Sequence, residues 1–285
     1  MILSLHNVLK TGVWLTPERV KIISFMMILM SLIGLSVLWL TGESWMTDRL
    51  GRPIGTDFSG VWHAGKMVLA GQAHAVFDPI PHFEFQRQNF NNFNIDVYGW
   101  HYPPFFLGIA AFLALFPYFP ALLIWQAATF ALFYAAIRRI APSHVLTPLL
   151  IVGFPAVFVT LGHGHNAFLT AGLLGFGLYF RQTRPWLAGF CIGLLAYKPQ
   201  FGLILPLILL ASGNFRAFAG ATITVVVMTL VATGIWGIEI WYAFLKGAEF
   251  TRLVVLEEGN TGWHKIQTLF SSIPLVSEEL ALSFY

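Results

Sequence analysis

The stretch KIISFMMILMSLIGLSVLWL, Lys21 to Leu40, decides the fold. It is charged only at its first residue, and as a helix rising about 1.5 Å per residue it crosses a hydrocarbon core of about 30 Å. The rest of the chain agrees with it. Of 285 residues, 57% are hydrophobic and only 10% charged, and the mean hydropathy is +0.72. A soluble domain carries about 25% charged residues, so charge this sparse does not coat a water-facing surface. Residues 1–285 therefore read as a single bilayer-embedded domain, which excludes a soluble enzyme, a disordered tail and a nucleic-acid module.

The formal charge of +3 reflects a shortage of acids more than a basic patch, and no polyanionic partner follows. Cys191 is the sole cysteine and reads as a small core residue, since it has no intrachain partner. The first 20 residues lack the apolar run and cleavage site of a signal peptide, so the Lys21–Leu40 helix is expected to remain as an anchor. Lys10, Arg19 and Lys21 before it favour a cytoplasmic N-terminus. The multi-pass chain then belongs in the plasma (inner) membrane, with residues 41–102 outside. That segment holds six acids, four bases and many aromatic side chains. It is expected to be an external loop carrying one or two short interfacial helices.

From Pro103 onward apolar segments follow closely: Pro104 to Phe119, Ala121 to Ile137, Val145 to Leu161, Ala167 to Phe180, Trp186 to Tyr197, Phe201 to Ala211 and Phe215 to Trp236. With the first this gives about eight, an all-α polytopic bundle in which several segments fall short of the ~17 residues of a normal span. Arg138 with Arg139, Arg181 with Arg184, and Arg216 read as cytoplasmic turns, which leaves Gly162 to Asn166, Lys198 to Gln200 and a second loop, residues 237–270, outside. The count then has a parity conflict. Pro104 to Ile137 must cross once or three times, yet it contains two segments, so either Pro104 to Phe119 is re-entrant or the Arg138–Arg139 pair breaks the charge rule.

Between Asp96 and Glu239 lie 142 residues without an Asp or Glu. Ion-driven transporters generally use intramembrane carboxylates, and this core has none. Carboxylate catalysis must come from the external loops. Asp57, in Gly55-Thr56-Asp57-Phe58-Ser59-Gly60, is open to two readings: a base taking a proton from a hydroxyl nucleophile, or a cap, with Thr56, of a helix starting near Phe58. His101 and Tyr102, in Trp100-His101-Tyr102-Pro103-Pro104, belong to an aromatic belt or line a site. In Gly162-His163-Gly164-His165-Asn166, His163, His165 and Asn166 suit a tight turn reaching a polar ligand better than a metal site, since supporting acids and cysteines are missing. Lys198, near Gln200, is either a snorkelling lysine or a phosphate contact. Arg252, His264 and Lys265 form a similar polar group in the last loop, with solvated loop charges as the plain alternative.

Taken in order, Thr56-Asp57-Phe58, Asp78-Pro79, Tyr102-Pro103-Pro104, the Gly162–Asn166 turn, Arg184-Pro185-x-x-Ala188-Gly189, Tyr197-Lys198-Pro199-Gln200 and Trp263-x-Lys265-x-Gln267 resemble the motif set of glycosyltransferase family 87, among the GT-C membrane glycosyltransferases. The resemblance covers about residues 20 to 272. It implies a GT-C-like bundle that takes a hexose, mannose in the best-known members, from a polyprenyl-phosphate donor. The sugar passes with inversion to a lipid or glycan acceptor outside, with Asp57 as base, Lys198 and its neighbours on the phosphate, and no metal or other cofactor. Two features depart from it: the chain stops sooner after the second loop than is usual, and the 162–166 turn replaces a Gly-Gln or Gly-Asn pair. A lipid-linked-sugar carrier, motivated by the short Gly- and Pro-broken segments, a surface-polysaccharide polymerase or ligase, and an inactive shortened member are the rival readings.

Overall fold

A computed structural model describes residues 12, 14–42, 46–49, 51–90, 98–141 and 145–253. Among them there is no strand, only an isolated bridge between Thr47 and Pro53. The helices are α1 (Pro17–Leu40), α2 (Thr56–Leu69), α3 (Pro79–Phe90), α4 (Leu107–Ala114), α5 (Tyr118–Ile140), α6 (Thr147–Gly153), α7 (Pro155–His163), α8 (Ala167–Phe180), α9 (Pro185–Leu194), α10 (Pro199–Ala211), α11 (Phe215–Trp236) and α12 (Glu239–Thr251). Short 3₁₀ turns at His74–Phe77, Pro104–Phe106 and Leu195–Tyr197 join them. The protein is an all-α membrane protein. The expected apolar segments map onto α1, α4, α5, the α6–α7 pair, α8, α9, α10 and α11, in that order.

α1 begins where its sequence says it should: Thr16 caps it by accepting from Arg19 N at 3.4 Å, and Pro17 occupies the first turn. Of its 24 residues only Ser24 is buried, as expected of a helix surrounded by lipid. Its contacts run through small residues. Gly153 of α6 abuts Ser24, and Gly34 lies against the Phe158 ring of α7, the close approach that substitutes for hydrophobic drive inside a bilayer. The same device joins α9 to α11, where Gly189 meets the Ala217 carbonyl, and α8 to α5, where Gly172 meets Leu132 and Phe133.

The helix lengths describe the stretch from Pro104 to Ile137. α1, α5 and α11, at 24, 23 and 22 residues, are long and apolar enough to cross a membrane. α4 has 8 residues, about 12 Å of helix, and ends in a turn at Pro117 before α5 starts. It cannot cross by itself, so the stretch from Pro104 to Ile137 holds one full-length helix. α4 instead packs along α2: Gly65 of α2 faces the Ala110 carbonyl so closely that no side chain fits there. Trp62 Nε1 also donates to the Phe116 carbonyl at 3.1 Å.

The expectation of short helices in residues 41–102 is met by α2 and α3, but α2 is a central element rather than a surface one. Phe58, Val61, Trp62, Ala64 and Met67 are buried with Ser59, Gly60, His63 and Gly65 between them, the pattern of a helix enclosed on all sides. Polar side chains on and beside it bond nearby backbone through one end, while Nε2 of His63 and of His82 is buried without a hydrogen-bond partner. His63 Nδ1 donates to the Ser59 carbonyl at 2.7 Å and His82 Nδ1 to the Val76 carbonyl at 3.1 Å. The Gln86 amide exchanges two hydrogen bonds with the backbone of Tyr98, at 2.8 and 3.3 Å, and so fixes the chain leading to His101.

Candidate active site

Asp57 stands in the first turn of α2. The structure decides against the capping reading, because Gly55 is the cap residue and no side chain caps the helix. The carboxylate is thus uncommitted to the backbone and lies near the helix N-terminus, where the peptide dipoles favour negative charge. Gly55 has φ +72°, which a side chain would strain. Tyr118 holds this corner by donating to the Ile54 carbonyl at 2.6 Å.

The Gly162–Asn166 turn is brought against it from 107 residues away. α7 ends at Gly164, which has φ +63°, and a Cβ there would lie 2.7 Å from Phe58 Cβ and 3.3 Å from Gly55 Cα. Only two glycines allow the approach. The free carbonyls at the end of α7 are satisfied from α5: Gln126 donates to Thr160 and Leu161 at 3.2 and 3.0 Å, and Trp125 to Gly164 at 3.2 Å. The turn then delivers His163 Nδ1 to Thr56 Oγ1 at 2.7 Å and His165 Nε2 to Asp57 Oδ2 at 3.7 Å. Asp57 and His165 both remain more than a third exposed, so the pair is open to a ligand.

The remaining candidates close around this pair. Asn166 is buried and donates to Tyr102 Oη at 2.7 Å, which leaves the Tyr102 proton available to a substrate oxygen. Tyr197 stacks on Phe106 with centroids 4.9 Å apart and shares a 2.6 Å hydrogen bond with Thr170, placing Lys198 at the head of α10. His101 Nδ1 is 3.0 Å from Thr251 Oγ1. The Thr251 proton already goes to the Gly247 carbonyl, so His101 is the donor and its Nε2 carries the lone pair.

Electrostatics show the same convergence. Burial holds His101, His165 and Lys198 below their ordinary pKa values, and in each case the Asp57 charge opposes that shift. Lys198 and His163 reinforce it at His165. Burial, with Asp57 and Tyr197 adding to it, raises Tyr102. The arrangement gathers one carboxylate, a lysine, three imidazoles and phenol and amide donors on one face.

Gln200 is exposed on the first turn of α10, with no contact to this cluster in evidence. Arg252 is exposed just beyond Thr251. His264 and Lys265 lie outside the described residues. Sequence reading passed over Thr56 as a partner of the turn, although it adjoins Asp57. It also missed Tyr197, beside Lys198, and Thr251, which no motif marks. Asp57 and His165 line neither the cavity between α12 and residues 74–81 nor the one beside His101; both are partly exposed side chains.

A helical membrane protein that gathers one carboxylate and a compact set of basic and hydrogen-bonding side chains at one place has the groups that acid–base chemistry on a polar substrate requires. The chain belongs to glycosyltransferase family 87, whose family model matches residues 100–283. It is a membrane glycosyltransferase. The matched region takes in His101 through Lys198 and leaves Asp57 outside it. No curated protein and no solved structure gave a match.

Proposed function

We propose that the protein transfers a hexose, mannose by family resemblance, from a polyprenyl-phosphate donor to a hydroxyl of a lipid or glycan acceptor, inverting the anomeric carbon. Asp57 is the base. The observation that carries this reading is the Asp57–His165 pair, open to ligand at 3.7 Å and within electrostatic reach of Lys198, His101 and Tyr102.

In a single displacement the acceptor oxygen bonds to the anomeric carbon as its proton passes to the Asp57 carboxylate. The bond from that carbon to the donor phosphate oxygen breaks, and its electrons leave with the phosphate. One base and cations near the departing phosphate meet these needs. Lys198 supplies a compact charge with three donors for the phosphate, and Tyr102 and Asn166 offer hydrogen bonds to sugar hydroxyls. The site faces the extracytoplasmic side of the plasma (inner) membrane in a multi-pass chain with its N-terminus cytoplasmic. In this arrangement residues 41–102 and 237–270 are the two external loops of one membrane domain.

The test is transfer of labelled mannose from a polyprenyl-phosphate-mannose donor to lipid or glycan acceptors in vesicles holding the full chain. Transfer by the wild type that falls by at least about 100-fold in a normally folded Asp57→Asn variant supports the reading. Transfer that survives the substitution removes Asp57 as base, and labelled lipid crossing the bilayer without transfer favours a carrier.

A further inference from the structure

Five arginines from three parts of the sequence are gathered at one end of the bundle. Arg138 and Arg139 stand in the last turn of α5, Arg181 and Arg184 between α8 and α9, and Arg216 in the first turn of α11. Glycine contacts align these helix ends. α5 and α8 run the same way, since Gly172 of α8 faces Leu132 and Phe133, and Gly175 faces Ala136 and Ile140. α8 turns back into α9 with Gly177 against Ile192. α9 and α11 start together: Gly189 meets the Ala217 carbonyl, and Gly193 meets the Ala221 carbonyl and Thr224. A Cβ at Gly220 would lie 3.0 Å from the Trp186 carbonyl oxygen, so the backbone just after Arg184 touches α11 about one turn beyond Arg216.

This concentration of positive charge has no counter-ion in the chain around it. The 142 residues that carry it hold no Asp or Glu, and among the described residues no ion pair involves these arginines. Arg139, Arg184 and Arg216 are exposed, and Arg138 and Arg181 are half-buried. The Arg184 guanidinium lies over the Phe180 ring, 5.8 Å from its centroid, which holds it close to the turn. Its surroundings are apolar and face outward: Trp186, Phe190 and Phe215 are 55%, 49% and 65% exposed. Phe215 opens α11, a helix long and apolar enough to cross a membrane. The arginines therefore stand where the hydrocarbon core meets the headgroups. The Asp57–His165 pair is at the other end of α8, whose 14 residues span about 21 Å.

We propose that Arg181, Arg184 and Arg216 bind the phosphate of an anionic phospholipid in the leaflet opposite the Asp57–His165 pair. Guanidinium groups pair with phosphate oxygens two hydrogen bonds at a time, and Arg138 and Arg139 add to the attracting field. The acid-free surroundings also select the headgroup. A zwitterionic lipid brings an ammonium that the arginines repel and that no carboxylate here receives, whereas an anionic one brings the phosphate alone. The site is independent of the transferase reading.

The experiment is native mass spectrometry of the full chain in detergent, titrated with phosphatidylglycerol or phosphatidylcholine of identical acyl chains. Phosphatidylglycerol is expected to bind about fivefold or more tightly than phosphatidylcholine, on the order of what one basic residue contributes at an anionic surface. The preference disappears in Arg184→Gln/Arg216→Gln and largely persists in Arg184→Lys/Arg216→Lys. It also persists in Lys246→Gln, which removes an exposed charge from α12 at the other end of α11. Circular dichroism and melting temperature establish that each variant is folded. If the double Gln variant is not, Arg184→Gln and Arg216→Gln are read singly, and each is expected to weaken the preference. Three results overturn the proposal: equal binding of the two lipids by the wild type, an unchanged preference in the folded Gln variants, or an equal loss in Lys246→Gln.

Discussion

Thr56 Oγ1 and His163 Nδ1 meet at 2.7 Å, a hydrogen bond that pins the first turn of α2 to the last turn of α7 immediately beside Asp57 and His165. Removing the hydroxyl with Thr56→Val is expected to cost about 1 kcal/mol of stability. If the bond also holds Asp57 in place, kcat falls several-fold with KM unchanged, and Thr56→Ser restores it. Transfer kinetics with a thermal-shift control separate the two effects.

Lys198 is expected to act on the phosphate. Lys198→Ala loses a charge-assisted contact worth about 1.5–3 kcal/mol, equivalent to roughly 10- to 150-fold in kcat/KM. Lys198→Arg, which keeps the charge but alters its geometry, recovers part of the loss. Steady-state transfer with varied donor concentration reads both.

Gly164 and Gly162 provide a paired test of the turn. At Gly164 a side chain meets Phe58 and Leu122 at 2.7 and 3.0 Å in a left-handed backbone, so Gly164→Ala is expected to destabilise by about 1–3 kcal/mol. Gly162 is helical with open space around it, and Gly162→Ala is expected to be neutral or to stabilise by up to about 1 kcal/mol. Thermal or denaturant unfolding in detergent compares them.

Stability should fall in acid because of two buried imidazoles. Burial lowers His63 to about 3 and His82 to about 4, against 6.5 in the unfolded chain. The unfolded state therefore binds protons that the folded state refuses. Stability is fully present above pH 6.5 and declines as pH drops toward 4, by up to about 1.4 kcal/mol per pH unit for each histidine. His82→Gln should flatten the melting-temperature profile between pH 7 and 4.5; an unchanged slope there would rule out His82 as a source.

The spans were readable because lipid contact demands long apolar runs, and Lys21–Leu40 meets that demand without ambiguity. Pro104–Phe119 left the crossing count open, since composition cannot separate a crossing helix from a short one buried in protein; the structure gives it a short helix ending before Pro117 and packed against Gly65 through Ala110. The cluster of Asp57, His165, Asn166 and Lys198 was legible as a set of polar residues in an acid-poor chain. Its wiring was not, because Thr56 to His163 and His101 to Thr251 are contacts across 107 and 150 residues. The cavity beside α12 had no signature at all, as its walls are ordinary aliphatic and aromatic residues.

The apposition of Gly55 and Gly164 has a bearing on how this site changes over mutational time. A Cβ on either glycine would press on the same two side chains, Phe58 and Leu122, so the two positions share one allowance of space. Enlarging either displaces those same neighbours, and a second enlargement finds the harm already done. Their effects should therefore combine sub-additively, and a library that varies the two together will retain function only where both stay small.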